Sequence, residues 1–318
     1  MARSRTADPS ELLLAARAGD RLALARLLSL VERNGDEARE VARLVHGPDP
    51  VVATVGITGA PGAGKSTLTN ALVGVARAEG ARVAVLAIDP SSPFAGGAIL
   101  GDQVRMGDHA TDDGVFIRSM ATRGHLGGLA VATPGSVRVL AAVGFDWVLI
   151  ETVGVGQVEV EVAGATDARV VVLNPGWGDA VQANKAGLLE IADVFAINKA
   201  DRPGVAEARR DLEQMLELGG ARDWRPPVVS CVATTSAGVE ELWAAVAAHR
   251  AAIEASGELE RRRRARVEEE LREVLAARLA AEAEALASDD RYRAVRDEVV
   301  GGGIDPWTAV DRLLSGWR

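Results

Sequence analysis

A glycine-rich octet directly after an apolar run constrains this chain more than any other feature. Gly59, Ala60, Pro61, Gly62, Ala63, Gly64, Lys65 and Ser66 follow the run 51–58 and precede a stretch of helical character that opens near Lys65 and includes Thr67. In this pattern the glycines let consecutive backbone N–H groups turn inward around phosphate oxygens, and the helix N-terminus adds the positive end of its dipole. The lysine reaches the β- and γ-phosphates and the hydroxyl of Ser66 holds magnesium. An ordinary glycine-rich turn needs no such lysine-serine ending, so the octet predicts a phosphate loop between a first strand and a first helix.

The remaining chain fits that frame. Apolar runs of strand length recur at 83–88, 115–118, 147–151, 169–173, 194–198 and 228–232, most followed by a glycine-containing turn and a helical stretch. Their apolarity is continuous rather than alternating, which means burial on both faces. The expected fold is therefore α/β: a P-loop NTPase with a mostly parallel sheet of about seven strands flanked by helices. Three short helices precede it, the first capped at Ser10, the second at Asp20 and the third spanning 36–46 before Gly47 and Pro48, and form an expected helical segment over 1–48. The nucleotide domain is expected over 49–250.

A helical tail is expected over 251–318. Its charged stretch 258–287 carries Val267, Leu271, Val274, Leu275, Leu279 and Leu286 at helical spacing, which fits a helix folded back on its own domain or an arm exchanged in a dimer. Gly301, Gly302 and Gly303 break the pattern. Asp305 and Pro306 restart a short helix expected to bury Trp307, Val310 and Leu313.

Charge and cysteine content exclude several classes. The formal net charge of −9 over 318 residues argues against nucleic acid as main partner, since counterion release needs concentrated positive charge. Cys231 is the single cysteine, so no intramolecular disulfide or multi-cysteine zinc site can form. Glu11, Arg17, Asp20 and Arg21 interrupt the N-terminal apolar runs, leaving no signal core and no membrane span. A cytoplasmic protein is expected.

Two further motifs address the nucleotide. Asn198, Lys199, Ala200 and Asp201 close the sixth strand. An aspartate there accepts both N1–H and the exocyclic amine of guanine, and adenine offers no such donor pair, so GTP is preferred over ATP. Asn198 is expected at the far edge of the base and the Lys199 stem along it. Glu151 ends the fourth strand, and Gly154 is placed for a backbone N–H to sense the γ-phosphate. Asp89 ends the second strand, and Asp102 follows a glycine-rich segment suited to a switch loop. With Ser66 these acids form a hard-oxygen set for Mg2+. Lys65, Lys185 and Lys199 are the only lysines, against 36 lysines and arginines together; two of the three lie in nucleotide motifs, where arginine does not substitute. The four histidines are scattered and are read as structural or solvent-facing.

These motifs together resemble the MeaB/ArgK GTPases that associate with methylmalonyl-CoA mutase. The resemblance spans about residues 45–250. Besides the phosphate loop it rests on the segment from Asp89 to Phe94, the run from Gly96 to Met106, Arg118 to Gly128, Glu151 to Gln157, Gly178 to Gly187 and Asn198 to Asp201. It implies a GTPase that gates loading of adenosylcobalamin onto a CoA-ester mutase, helps eject damaged cofactor and works as a homodimer. By position it implies Ser66, Asp89, Asp102 and Glu151 as the magnesium shell, and 179–185 as an additional switch that gives Lys185 a role. The family's Ser-Ala pair after the last strand reads Val232 and Ala233 here, followed by Thr234; a backbone contact to the guanine oxygen survives that change.

In Ras-like GTPases a glutamine after the γ-phosphate-sensing glycine orients the attacking water. Val155 occupies that position here, so slow intrinsic hydrolysis is expected, stimulated when a partner reorganises the loops of Gln157, Asp102, Arg105 or Lys185. The alternatives are a P-loop kinase with another phosphoryl acceptor, and a nickel-delivery type of metallochaperone GTPase, for which clustered Cys or His is missing.

Overall fold

The computed structural model describes residues 8–33, 35–47, 52–89, 109, 111–121, 126–152, 164–176, 191–218 and 223–315; the side chains of 89, 121 and 126–131 lie outside that description. Seven strands are described: β1 Ala53–Gly59, β2 Val83–Asp89, β3 Val115–Ala121, β4 Trp147–Thr152, β5 Ala168–Leu173, β6 Val194–Ile197 and β7 Val228–Ser230. They form one sheet in the order β3-β2-β4-β1-β5-β6-β7, with every neighbouring pair parallel. The sixth and seventh strands end earlier than the apolar runs do, because Asn198 and Cys231 turn into the loops that carry the base motif.

Alternate strand residues serve opposite faces, which is why the runs are apolar throughout. On β2, Ala84, Leu86 and Ile88 pack on one side, whereas Val83 and Val85 pack on the other. The first side is covered by α1 Pro9–Arg17, α2 Arg21–Arg33, α3 Asp36–Val45 and α5 Leu126–Ala142, whose Leu24, Leu27, Leu28, Val139 and Leu140 close the core against Phe116 and Ile150. α6 Val205–Leu218 covers β5 and β6 through Ala208 and Leu212. The opposite side is covered by α4 Lys65–Ala78 and α7 Val239–Ala255, which meet over Leu68, Leu72, Leu242 and Val246.

The start of α1 differs from expectation. Asp8, not Ser10, caps it: its carboxylate accepts from the Ser10 N–H at 2.8 Å and Pro9 takes the first helical position. A proline needs no N–H partner there, so the cap moves ahead of it. Asp20 caps α2 as expected, accepting from the N–H groups of Leu22 and Ala23 at 2.8 and 3.0 Å.

The chain divides into two compact units, one up to Val267 and one from Glu268. The boundary falls within α8 Glu258–Ala287, a single 30-residue helix. In the second unit α9 Asp290–Val300 and α10 Pro306–Leu314 pack through Val295, Ala309 and Leu313. Trp307 and Val310, expected inside, are 84% and 48% exposed. The Asp305 cap fixes the start of α10 so that Ala309 and Leu313, four residues apart, take the inner face.

Candidate nucleotide site

The phosphate-loop octet leaves β1 at the carboxyl end of the sheet, where the strand order reverses around β1 and β4. Crevices at such a reversal are where open parallel sheets bind ligands. Gly59 is fixed by its neighbour: it has φ +140°, and a Cβ there would lie 2.1 Å from the Val172 carbonyl oxygen of β5. Gly64 has φ +89°, and its missing Cβ makes room for the Asn198 amide, which would otherwise be 2.5 Å away. α4 begins at Lys65, as the octet predicts. Lys65 is buried, and its Nζ donates to the carbonyls of Gly59 at 2.7 Å and Ala60 at 3.2 Å, which holds the ammonium inside the turn of the loop. Thr67, Pro61 and Gly62 face outward.

Glu151 reaches the same place from β4, whose register sets it beside Ile57 of β1. The Ser66 hydroxyl donates to Glu151 Oε1 at 2.5 Å. A carboxylate and a hydroxyl in contact at the phosphate-loop mouth are hard oxygen donors of the kind magnesium takes. β2 carries the Asp89 backbone to the same edge of the sheet, paired with Ala121. Asp102, Gly154, Gln157 and Lys185 lie outside the described residues, as does the Asp89 side chain. Among the described residues no group of three or more His, Cys, Asp and Glu side chains is placed to hold a metal.

The loop after β6 is braced against the phosphate loop. Asn198, expected at the edge of a base, is buried and ties three segments together: its amide donates to the carbonyls of Ala63 at 2.9 Å and Gly64 at 3.4 Å, and its Oδ1 accepts from the Ala233 N–H at 3.1 Å. Lys199 adopts φ +59°, uncommon for a residue with a side chain, and its Nζ donates to the Gly62 carbonyl at 2.5 Å. The lysine stem thus crosses from the base motif to the phosphate loop. Asp201 is exposed at the rim, as is Thr234, and the Val232 N–H donates to Ala237 O in a tight turn beside them.

Cys231 was not legible as part of this arrangement. Its carbonyl accepts from the Ala200 N–H at 3.0 Å and its buried thiol lies 3.9 Å from Asn198 Oδ1. Burial pushes that thiol up to about 12, so it stays protonated. A second assembly that the sequence did not reveal sits at the opposite, amino end of the strands. Asp167, just before β5, meets Arg263 at 2.6 Å and Arg266 at 2.5 Å; Asp193, just before β6, meets Arg169 at 2.9 Å and Arg262 at 3.3 Å, with His249 Nε2 at 3.2 Å. The run of arginines at 261–266 was the only available signal.

Parallel strands, a phosphate loop at the strand-order reversal and an Asn-Lys-x-Asp loop braced on it define a P-loop nucleotide-binding protein of the guanine type. The comparisons narrow the class. Residues 24–288 match the family described as Methylmalonyl Co-A mutase-associated GTPase MeaB. A Pyrococcus abyssi relative is 48% identical over 309 residues, covering 96% of this chain and 95% of that one. GTPase ArgK of Escherichia coli is 39% identical over 265 residues, covering 80% of each. Methylmalonic aciduria type A homolog, mitochondrial, of Mus musculus is 32% identical over 326 residues, covering 94% of this chain and 77% of that protein. A crystal structure of a LAO/AO transport system kinase superposes with TM-score 0.72 at 29% identity, covering 99% of both chains. The chain belongs to the MeaB family and is a GTPase.

Proposed function

We propose that this GTPase binds GTP with Mg2+ and uses hydrolysis to gate adenosylcobalamin loading and protection of a CoA-ester mutase, methylmalonyl-CoA mutase first among the candidates. The observation that carries the nucleotide part is the brace from Asn198 and Lys199 to Ala63, Gly64 and Gly62, which couples recognition of the base to the loop that holds the phosphates. The mutase part rests on the family description and on the name of the mouse relative.

In this reading Gly59 to Thr67 cradle the phosphates, and Lys65 exchanges its carbonyl partners for the β- and γ-phosphate oxygens. Ser66, Asp89, Asp102 and Glu151 would hold magnesium, which would supply charge neutralisation for the transferring phosphoryl group. Asp201 accepts from guanine, Val232, Ala233 and Thr234 border the base, and Gly154 senses the γ-phosphate. No side chain acts as nucleophile; water attacks, and catalysis is positioning and charge neutralisation. Val155 in place of a water-orienting glutamine makes intrinsic turnover slow, and a bound mutase accelerates it through Gln157 and Lys185. The protein acts in the cytoplasm as a homodimer.

Two experiments test this. Asp201→Asn should shift preference from GTP toward xanthosine triphosphate, and equal binding of ATP and GTP by the unaltered protein would favour a kinase reading instead. Capture of methylmalonyl-CoA mutase should differ between GDP and a non-hydrolysable GTP analogue; capture that ignores the nucleotide would remove the gating role.

A further inference from the structure

The corner between α1 and α2 leaves a cleft of about 460 Å3 against the sheet, the size of a small-molecule site. One wall is that corner; the other is made by the end of α4, the residue before β2, the turn entering β3 and the turn after α5. The cleft is remote from the nucleotide. α4 opens at Lys65 in the phosphate loop and reaches the cleft at Arg77, about 18 Å further along its axis.

Its lining has three parts. Leu24, Phe116, Val143 and Phe145 give a buried apolar floor, with the two rings 6.3 Å apart. Arg21, Arg77 and Arg82 supply guanidinium groups, and Asp20 and Asp113 supply carboxylates. Arg77 is spent on structure: Nε and one Nη donate to the two carboxylate oxygens of Asp112 at 2.8 and 2.9 Å, and the other Nη donates to the Ala81 carbonyl at 2.7 Å. Arg21 gives one Nη to the Asp112 carbonyl at 2.9 Å. Arg82 gives one Nη to the carbonyls of Val143 and Gly144 at 2.9 and 3.0 Å, and its guanidinium lies 4.6 Å from the centre of the Phe145 ring. A guanidinium carries five N–H donors, so these carbonyls take a minority of what Arg21 and Arg82 offer. Asp20 accepts from the N–H groups of Leu22 and Ala23 through Oδ1, and Asp113 is exposed.

With the Arg77–Asp112 pair set aside, two guanidiniums and two carboxylates stand around an apolar floor. That balance selects the ligand. A nucleotide or another polyanion meets Asp20 and Asp113, and a simple cation meets Arg21 and Arg82. A molecule with one charge of each sign and an apolar group satisfies all three parts. We propose that this cleft binds a free α-amino acid with an apolar side chain. Its carboxylate accepts from Arg21 and Arg82, its ammonium donates to Asp20 and Asp113, and its side chain rests on Phe116 and Phe145. The assignment goes beyond the GTPase reading and does not depend on the mutase.

The test is calorimetric titration of the full chain with L-leucine, L-methionine and L-phenylalanine up to about 10 mM. At least one should bind with a stoichiometry of one per chain, equally well in the presence of saturating GDP. Arg21→Gln and Asp113→Asn, both at exposed positions outside the nucleotide machinery, should each weaken that binding about fivefold or more while GDP binding, which reports folding, is kept. The amide and the N-acetyl derivative of the bound amino acid, each lacking one charge, should fail to bind. Silence from all three amino acids overturns the proposal. So does binding that both variants retain in full, that the derivatives reproduce, or that GDP displaces.

Discussion

At Gly59 the backbone has no room for any other residue. The φ of +140° already excludes side chains, and the Val172 carbonyl oxygen, 2.1 Å from where a methyl carbon would sit, blocks the alternative of local adjustment. Gly59→Ala should therefore lower the urea-unfolding free energy by about 2–4 kcal/mol and remove nucleotide binding together with it. Cys231 gives a milder prediction at the same scale. With its thiol 1% exposed and pushed up to about 12, it should resist iodoacetamide in the folded protein at pH 8 and react only once urea opens the fold, as read by mass spectrometry. Asn198, expected at the far edge of the base, has a side-chain amide that joins the phosphate loop to Ala233, a partner 35 residues away.

Elements meet at the amino end of the sheet, where the first turns of α8 are fastened beneath β1, β5 and β6. Arg263 donates both to Asp167 and to the Val52 carbonyl at 3.0 Å, and Asp167 accepts from the Thr54 N–H of β1 at 3.2 Å. Burial alone would raise the Asp167 carboxyl, but the hydrogen bond from Arg263 and the charges of Arg266 and Arg263 outweigh it and hold it below the usual range. Asp193 is lowered likewise, against its own burial, by His249, Arg169 and Arg262. Because the folded values are depressed, the stabilisation is complete above the ordinary carboxylate range near pH 4 and is lost as pH falls through the lower folded values. Urea midpoints should thus hold steady above about pH 5 and drop steeply below about pH 4. Asp167→Asn leaves two arginines without their carboxylate and should cost about 3–5 kcal/mol at pH 7, a gap that narrows in acid. A variant with an unchanged midpoint at pH 7 would show that the cluster contributes only geometry.

Over the whole molecule, the division at Val267 predicts that nucleotide recognition is self-sufficient. A chain ending at Val267 keeps the whole sheet, the phosphate loop, Asn198 to Asp201 and the arginines that reach Asp167 and Asp193. It should bind GDP within about threefold of the full chain. A truncated protein that cannot bind nucleotide would mean that the second unit supports the site. The net charge of −9 adds a prediction that salt-sensitive association with DNA or RNA is undetectable at physiological ionic strength, checked by filter binding.

The sequence by itself determined the parallel sheet and the place of the phosphate loop, because each is local: an apolar run of strand length, eight consecutive residues. Its periodicity also marked Leu271, Leu275 and Leu279 as one face, but helical spacing reads the same whether that face meets the chain's own core or a second copy. Only the tertiary structure decided that these leucines are exposed, that Trp307 points outward while Leu313 points in, and that Asp167 and Asp193 draw in arginines from about 70 to 100 residues further along. Those outcomes depend on which distant groups share the space around a side chain, and composition and spacing carry no record of that.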